Sequence, residues 1–264
     1  MKIVIVTGAS SGIGEEFVKQ LDQTFHRIDE IWMIARNKEK MEEIAGQLQN
    51  KTRILPLDLQ SKEDISLLED ILKVEKPGIC MLVNCAGFGV MGDFLQLDIQ
   101  EQLDMIDLNC KALTQITYLS LPYIIRNGRI LQVASSAAFS PQANFAVYAA
   151  TKSYVLSFSR ALQEEIRDRG IFITTVCPGP VDTPFFIKAE KYGHTLQLKK
   201  KFSVTPQRVV HDALIDAKRR RSVSVCSFPM KAYHVASKVT PHDWLLEIVQ
   251  YFAEKEKKHE EEIS

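Results

Sequence analysis

Thr7-Gly8-Ala9-Ser10-Ser11-Gly12-Ile13-Gly14 is the stretch on which the fold turns. The apolar run Lys2–Val6 leads into it, and Ile13–Phe25, with apolar residues at helical spacing, leads out. A glycine turn between a strand and a helix is what a dinucleotide-binding βα unit requires. Gly8 permits the tight turn, Gly12 lets backbone approach a pyrophosphate, and Gly14 lets helix and strand pack closely. The helix N-terminus offers N–H groups and a positive dipole end to the phosphates. With Ser10, Ser11 and Ile13, these glycines make a candidate cofactor loop. A plain βα turn with serine as N-cap is the simpler alternative. The spacing is not that of a nucleotide-hydrolysing G-x-x-x-x-G-K-S loop, and no lysine follows.

Outward from this turn, short apolar runs alternate with helix-length segments. Strands are predicted at Ile31–Ala35, Arg53–Leu57, Ile79–Val83, Arg129–Ala134 and Ile171–Cys177, with a seventh candidate at Ser222–Cys226. Helices are predicted at Lys38–Gln49, Lys62–Lys73, Leu103–Ile125 (bent near Pro122) and Phe145–Arg169. The strands are continuous Val/Ile/Leu runs, which suits a parallel sheet covered on both faces. Repeated βα order implies right-handed crossovers. The expected fold is therefore α/β: a doubly wound parallel (Rossmann) sheet of about seven strands with helices on both faces. No composition break or repeat divides the chain, so residues 1–264 are expected to form one domain.

Composition narrows the function. The 264 residues are 45% hydrophobic and 25% charged, enough apolar surface to exclude disorder. Thirty-three Lys+Arg balance 33 Asp+Glu, which argues against a dedicated nucleic-acid binder. No run approaches the roughly 20 apolar residues of a membrane span. The N-terminus runs straight into a strand, with no room for a signal peptide. Cys80, Cys85, Cys110, Cys177 and Cys226 show no CxxC spacing and read as buried reduced thiols, with no metal site. A cytoplasmic location is expected.

The end of the second strand bears on cofactor choice. An Asp or Glu there would bond the ribose hydroxyls of NAD. The sequence instead reads Ile34-Ala35-Arg36-Asn37, and the Arg36 guanidinium suits a 2′-phosphate. NADP is thus expected, with NAD the lesser candidate.

Tyr148 and Lys152 stand at i and i+4, on one face of a predicted helix. Ser135 lies 13 residues upstream of Tyr148, just past the fifth strand. The C-terminal ends of parallel strands are where such sheets bind ligands. A free phenol, with a pKa near 10, is a poor base near neutrality. One ammonium at about 4 Å contributes about 4 kcal/mol at an effective dielectric of about 20. That equals about three pKa units, so Lys152, helped by an oxidised nicotinamide ring, is expected to lower the Tyr148 pKa.

The glycine turn, Asn84-Cys85-Ala86-Gly87, Asn109, Ser135, the Tyr148–Lys152 pair and Cys177-Pro178-Gly179 occur in that order. In this the chain resembles the short-chain dehydrogenase/reductase family, in its shorter single-domain branch, over residues 1 to about 226. The resemblance implies a catalytic set of Asn109, Ser135, Tyr148 and Lys152, with Ser136 second choice for the serine. It implies that Lys152 also holds the nicotinamide ribose, and that Asn109 holds a water linking Lys152 to solvent. It further implies cofactor contacts at Asp58 and Leu59 near the adenine, at Asn84, Ala86 and Gly87, and at Pro178, Gly179, Val181 and Thr183. Cys85 replaces the second Asn of the frequent Asn-Asn-Ala-Gly. The chain between about 180 and 205, with Phe185, Phe186, Tyr192, His194 and Lys199-Lys200-Lys201, resembles a substrate lid.

The expected activity is hydride transfer between NADP and a carbonyl or alcohol substrate, with Tyr148 as acid/base. The rival is a catalytically idle dinucleotide-binding redox sensor, which has no need of an intact Ser-Tyr-Lys set. A small-molecule partner and a homodimer or homotetramer are expected. The apolar C-terminal stretch, a helical tail at about 228–264, is left with three readings: a cover for the cleft, a subunit interface, or a membrane-surface contact.

Overall fold

A computed structural model describes residues 1–25, 28–191, 203–241, 243–244 and 246–247. Seven parallel strands form one sheet: β1 Lys2–Thr7, β2 Glu30–Ala35, β3 Thr52–Pro56, β4 Gly78–Asn84, β5 Ile124–Val133, β6 Phe172–Val176 and β7 Val223–Ser224. Their order is β3-β2-β1-β4-β5-β6-β7. The chain builds outward from β1 to β3, then crosses back to lay β4 on the other side of β1. The ends of β1 and β4 therefore diverge at a switch point, where such sheets open a crevice.

The continuous apolar strands serve two cores at once. In β1, Val4 and Val6 face one layer with Phe17, Met41 and Val210. Ile3 and Ile5 face the other with Leu68, Leu72 and Ile116. The first layer holds α1 (Gly12–Thr24), α2 (Lys38–Ala45) and Pro206–Lys218; the second holds α3 (Lys62–Glu75) and Leu113–Ser120. Both faces are covered, as the strand composition implies.

The predicted long helix at Leu103–Ile125 is corrected. It is α4 (Ile99–Ile106), a wide π turn (Asp107–Ala112), α5 (Leu113–Ser120) and a 3₁₀ turn (Leu121–Tyr123). Ile124 already pairs with Ile79 in β5. Pro122 cannot donate to a continuing helix, and the two isoleucines after it suit a strand. The helix predicted at Phe145–Arg169 is α6, Ala146–Glu165, followed by a 3₁₀ turn that ends at Gly170 with φ 66°. The helix predicted at Lys38–Gln49 stops at Ala45.

Of the expected lid, α7 (Phe185–Ala189) is described, and Val181 bridges Val204 across its base. Tyr192, His194 and Lys199 to Lys201 lie outside the described residues. Pro206–Lys218 is α8 and Phe228–Val239 is α9. Most of the predicted tail beyond Val239 also lies outside the described residues. No helix among the described residues is long and apolar enough to cross a membrane.

Candidate active site

The turn after β1 is held from both sides. The Thr7 hydroxyl accepts the N–H groups of Cys85 (3.0 Å) and Ala86 (3.1 Å), tying the end of β1 to the end of β4. A Cβ on Gly14 would stand 2.1 Å from the Gly8 carbonyl oxygen, so only glycine lets α1 start this close to the turn. The side chains of Asn37, Ser61, Asp98 and Thr205 cap their helices, whereas Ser11, at the same position on α1, makes no capping hydrogen bond. The first-turn N–H groups of α1 are thus left to the cleft, an arrangement suited to phosphate oxygens.

α6 brings Tyr148 and Lys152 to the same cleft one turn apart, and both are buried. The Tyr148 ring stacks on Phe145 at 4.2 Å between centroids and leans on Phe185 at 5.6 Å. The Lys152 ammonium donates to the Val133 carbonyl (3.1 Å) and stands 5.5 Å from the Tyr148 ring centroid. Ser135 sits by the phenol, where it exerts a lowering influence on its pKa, and its hydroxyl accepts from the Ala137 N–H (3.1 Å). Ser136 lines the cleft too, but the serine that acts on the Tyr148 phenol is Ser135.

Burial pushes the Tyr148 phenol up to about 12, against the lowering influence of Ser135. Burial also brings Lys152 down to about 8. The titratable groups acting on Lys152 are the thiols of Cys85, Cys110 and Cys177. Burial pushes these to about 12, 11 and 12, so they stay protonated and give the ammonium no counter-charge. The expected lowering of Tyr148 by Lys152 is not what the protein's own groups produce: desolvation outweighs every other influence on both residues.

Asn109 sits in the π turn, and such turns often mark functional positions. Its amide donates to the Phe88 carbonyl (2.9 Å) and the Thr151 hydroxyl (3.1 Å), and its oxygen accepts from the Phe88 N–H (3.1 Å). The side chain thus clamps the segment after β4 to α6. Asn84 is also turned inward, donating to Thr117 (2.9 Å) and Gln132 (3.0 Å) beneath the cleft.

The other named residues line one cleft of about 890 Å³: Gly8, Ser10 to Gly14, Arg36, Asp58, Leu59, Ala86, Gly87, Pro178, Gly179, Val181 and Thr183. Its size and apolar walls suit a cofactor with a substrate beside it. Arg36 lies 3.9 Å from the Asp58 carboxylate, both at the exposed rim. Residues that the sequence did not single out are Gly89, Ser140 and Phe145. A Cβ on Gly89 would come within 2.7 Å of the Tyr148 ring. The tail residues Met230 and Tyr233 line the same cleft, so α9 is part of its cover.

Comparison with known proteins gives a consistent picture. The sequence profile of the short chain dehydrogenases matches residues 2–192. An uncharacterized oxidoreductase of Staphylococcus epidermidis is 34% identical over 188 residues, 69% of this chain and 79% of that one. A short-chain dehydrogenase from Sphingobium yanoikuyae, solved in complex with NADPH, superposes with a TM-score of 0.76 at 28% identity. That match covers 85% of this chain and 87% of the other. A short chain dehydrogenase/reductase from Burkholderia phymatum, solved with NAD, shares the fold at 16% identity and a TM-score of 0.76, covering 89% and 92%.

Proposed function

The chain belongs to the short chain dehydrogenase family of oxidoreductases, and from that premise we propose that it is an NADP-dependent carbonyl reductase or alcohol dehydrogenase. The observation that carries this reading is the convergence of Ser135, Tyr148 and Lys152 on the cleft into which the uncapped start of α1 opens. A nicotinamide cofactor supplies or accepts the hydride when bound. Tyr148 holds the proton that a carbonyl oxygen takes up, and its high pKa keeps that proton in place across the neutral range. Ser135 holds the same oxygen by hydrogen bond. Lys152 holds the ribose next to the reacting ring. The Asn109 clamp on Phe88 fixes the wall facing Lys152, since a Cβ on Gly87 between them would meet Asn109 at 2.7 Å and Lys152 at 3.4 Å. The proposed protein is cytoplasmic and a homodimer or homotetramer; exposed Ile99, Leu103, Ile106 and Tyr118 on α4 and α5 support self-association. The test is a panel of aldehydes, ketones and alcohols followed by NADPH absorbance. Turnover supports the reading. Cofactor binding with no turnover in either direction supports the redox sensor instead.

The NADP preference rests on Ala35 and Arg36. Ala35 offers no acid to repel a 2′-phosphate. Arg36 stands 3.9 Å from the Asp58 carboxylate, and both are well exposed, so its contribution is modest. The expected preference for NADP(H) over NAD(H) is about tenfold, the value of about 1.4 kcal/mol. Fluorescence titration of both cofactors checks it, and Arg36→Ala should erase the difference. Equal affinities in the unaltered protein would show that Arg36 does not engage the phosphate.

A further inference from the structure

On the reading of the cleft as a carbonyl reductase site, we propose that the hydroxyls of Ser140 and Tyr233 form a second polar subsite. It binds a hydroxyl or carbonyl oxygen carried by the substrate at a distance from the reacting carbonyl. Both residues line the cleft, and their hydroxyls are hydrogen-bonded to each other. Phe145, Phe185, Phe186 and Met230 give the same cleft apolar walls, and Gln142 lines it beside Ser140. A polar pair set into such a wall fixes orientation, as the few polar groups of a mostly hydrophobic site do.

The pair has bonding capacity left over. Two hydroxyls bring two hydrogens and four acceptor lone pairs, and the bond between them uses one of each. Among the described residues the remaining hydrogen bond of the pair is a limiting one, from the Ser140 hydroxyl to the Pro141 carbonyl at 3.5 Å. A ligand hydroxyl can accept from one partner and donate to the other, and a ligand carbonyl can accept the spare hydrogen.

The pair is also held in place. Ser140 is 6% exposed. Phe139 packs on Tyr233 at 6.0 Å and on His234 at 4.3 Å between ring centroids. Met230 rests on the Pro178–Gly179 turn so closely that a Cβ on Gly179 would meet it at 2.9 Å. α9 is thereby fixed to the loops that carry the chemistry. Ser140 follows Ser135 by five residues, three of them in the 3₁₀ turn Ser136–Ala138. At about 2 Å per 3₁₀ residue, the two polar points are on the order of 10 Å apart. The implied substrate is an apolar ketone or alcohol with a second oxygen toward its far end. Tyr233 lies beyond residues 2–192, the part of the chain that the family profile matches.

The experiment compares straight-chain methyl ketones from heptan-2-one to dodecan-2-one with their terminally hydroxylated counterparts, using NADPH. The readout is the ratio of kcat/KM for the hydroxylated over the bare ketone. The expected ratio rises to about three- to tenfold at one chain length, the range of a neutral hydrogen bond. Tyr233→Phe, which keeps the ring against Phe139, and Ser140→Ala should each return it toward one. A ratio near one at every length, or a raised ratio that survives both substitutions, overturns the subsite while ketone reduction stands. No turnover of any ketone overturns the reductase reading itself, and the subsite with it.

Discussion

Tyr148→Phe is expected to cut turnover by about 10²–10⁴-fold, the range a positioned proton donor supplies, while NADPH still binds. Phenylalanine keeps the ring between Phe145 and Phe185 and removes only the hydroxyl. The elements proposed to face the cofactor, the start of α1 and the Pro178–Thr183 segment, are untouched. Steady-state rates and an NADPH titration on the same preparation separate the two effects. Reduction rates near those of the unaltered protein would remove Tyr148 from the proton transfer.

Lys152→Met is expected to abolish turnover and weaken NADPH binding, yet raise folding stability. Burial brings Lys152 from 10.5 down to about 8, which corresponds to a cost of about 3 kcal/mol for holding it charged near neutrality. Methionine fills the same space without that cost and gives up the bond to the Val133 carbonyl. The net gain should be about 2 kcal/mol, or about 4–8 °C in Tm for a chain of this size. The gain has a pH signature. Between about 8 and 10.5 the unfolded chain holds the Lys152 proton and the folded chain has released it. At this site the unfolded state binds more protons, so the Lys152 contribution to wild-type stability rises with pH and the variant's lead shrinks. Tyr148, raised to about 12, acts oppositely above about 10. The thiols of Cys85, Cys110, Cys177 and Cys226, raised from 9.0 to about 11–12, do so above about 9, so pH 8 to 9 is the clean window. Calorimetry across that window tests the assignment, and a lead independent of pH would mean the ammonium carries no buried cost.

The fold was legible wherever local chemistry and tertiary role coincide. The β1 turn needs glycine for reasons visible within eight residues, and the strands are apolar because both sheet faces are covered. Legibility failed where one pattern serves two structures. Ile124 and Ile125 continue an apolar helix stripe as well as they start a strand, and pairing with Ile79 decides. The π turn has no composition of its own; it shows through the bonds Asn109 makes to Phe88 and Thr151. The direction of the Tyr148 shift was missed because it depends on burial, which arises only once the Phe145, Phe185 and Gly89 neighbours are assembled. Ser140 and Tyr233 stand 93 residues apart, and nothing in either neighbourhood announces the other.

Met230 and Tyr233 reach the cleft from a helix that begins 36 residues after the family match ends. The groups proposed to handle hydride and proton precede residue 192; part of the wall of the cleft, Met230 and Tyr233, follows it. Mutation can therefore sample the wall while leaving the reacting centre under its own selection. Paralogues that swap or rewrite the segment after residue 205 would diverge in diet without relearning the reaction. For protein engineering the same division makes α9 a cassette: a grafted replacement alters what the cleft admits, and its fit is judged at two joints, the packing of residue 230 on the Pro178–Gly179 turn and that of residues 233 and 234 on Phe139.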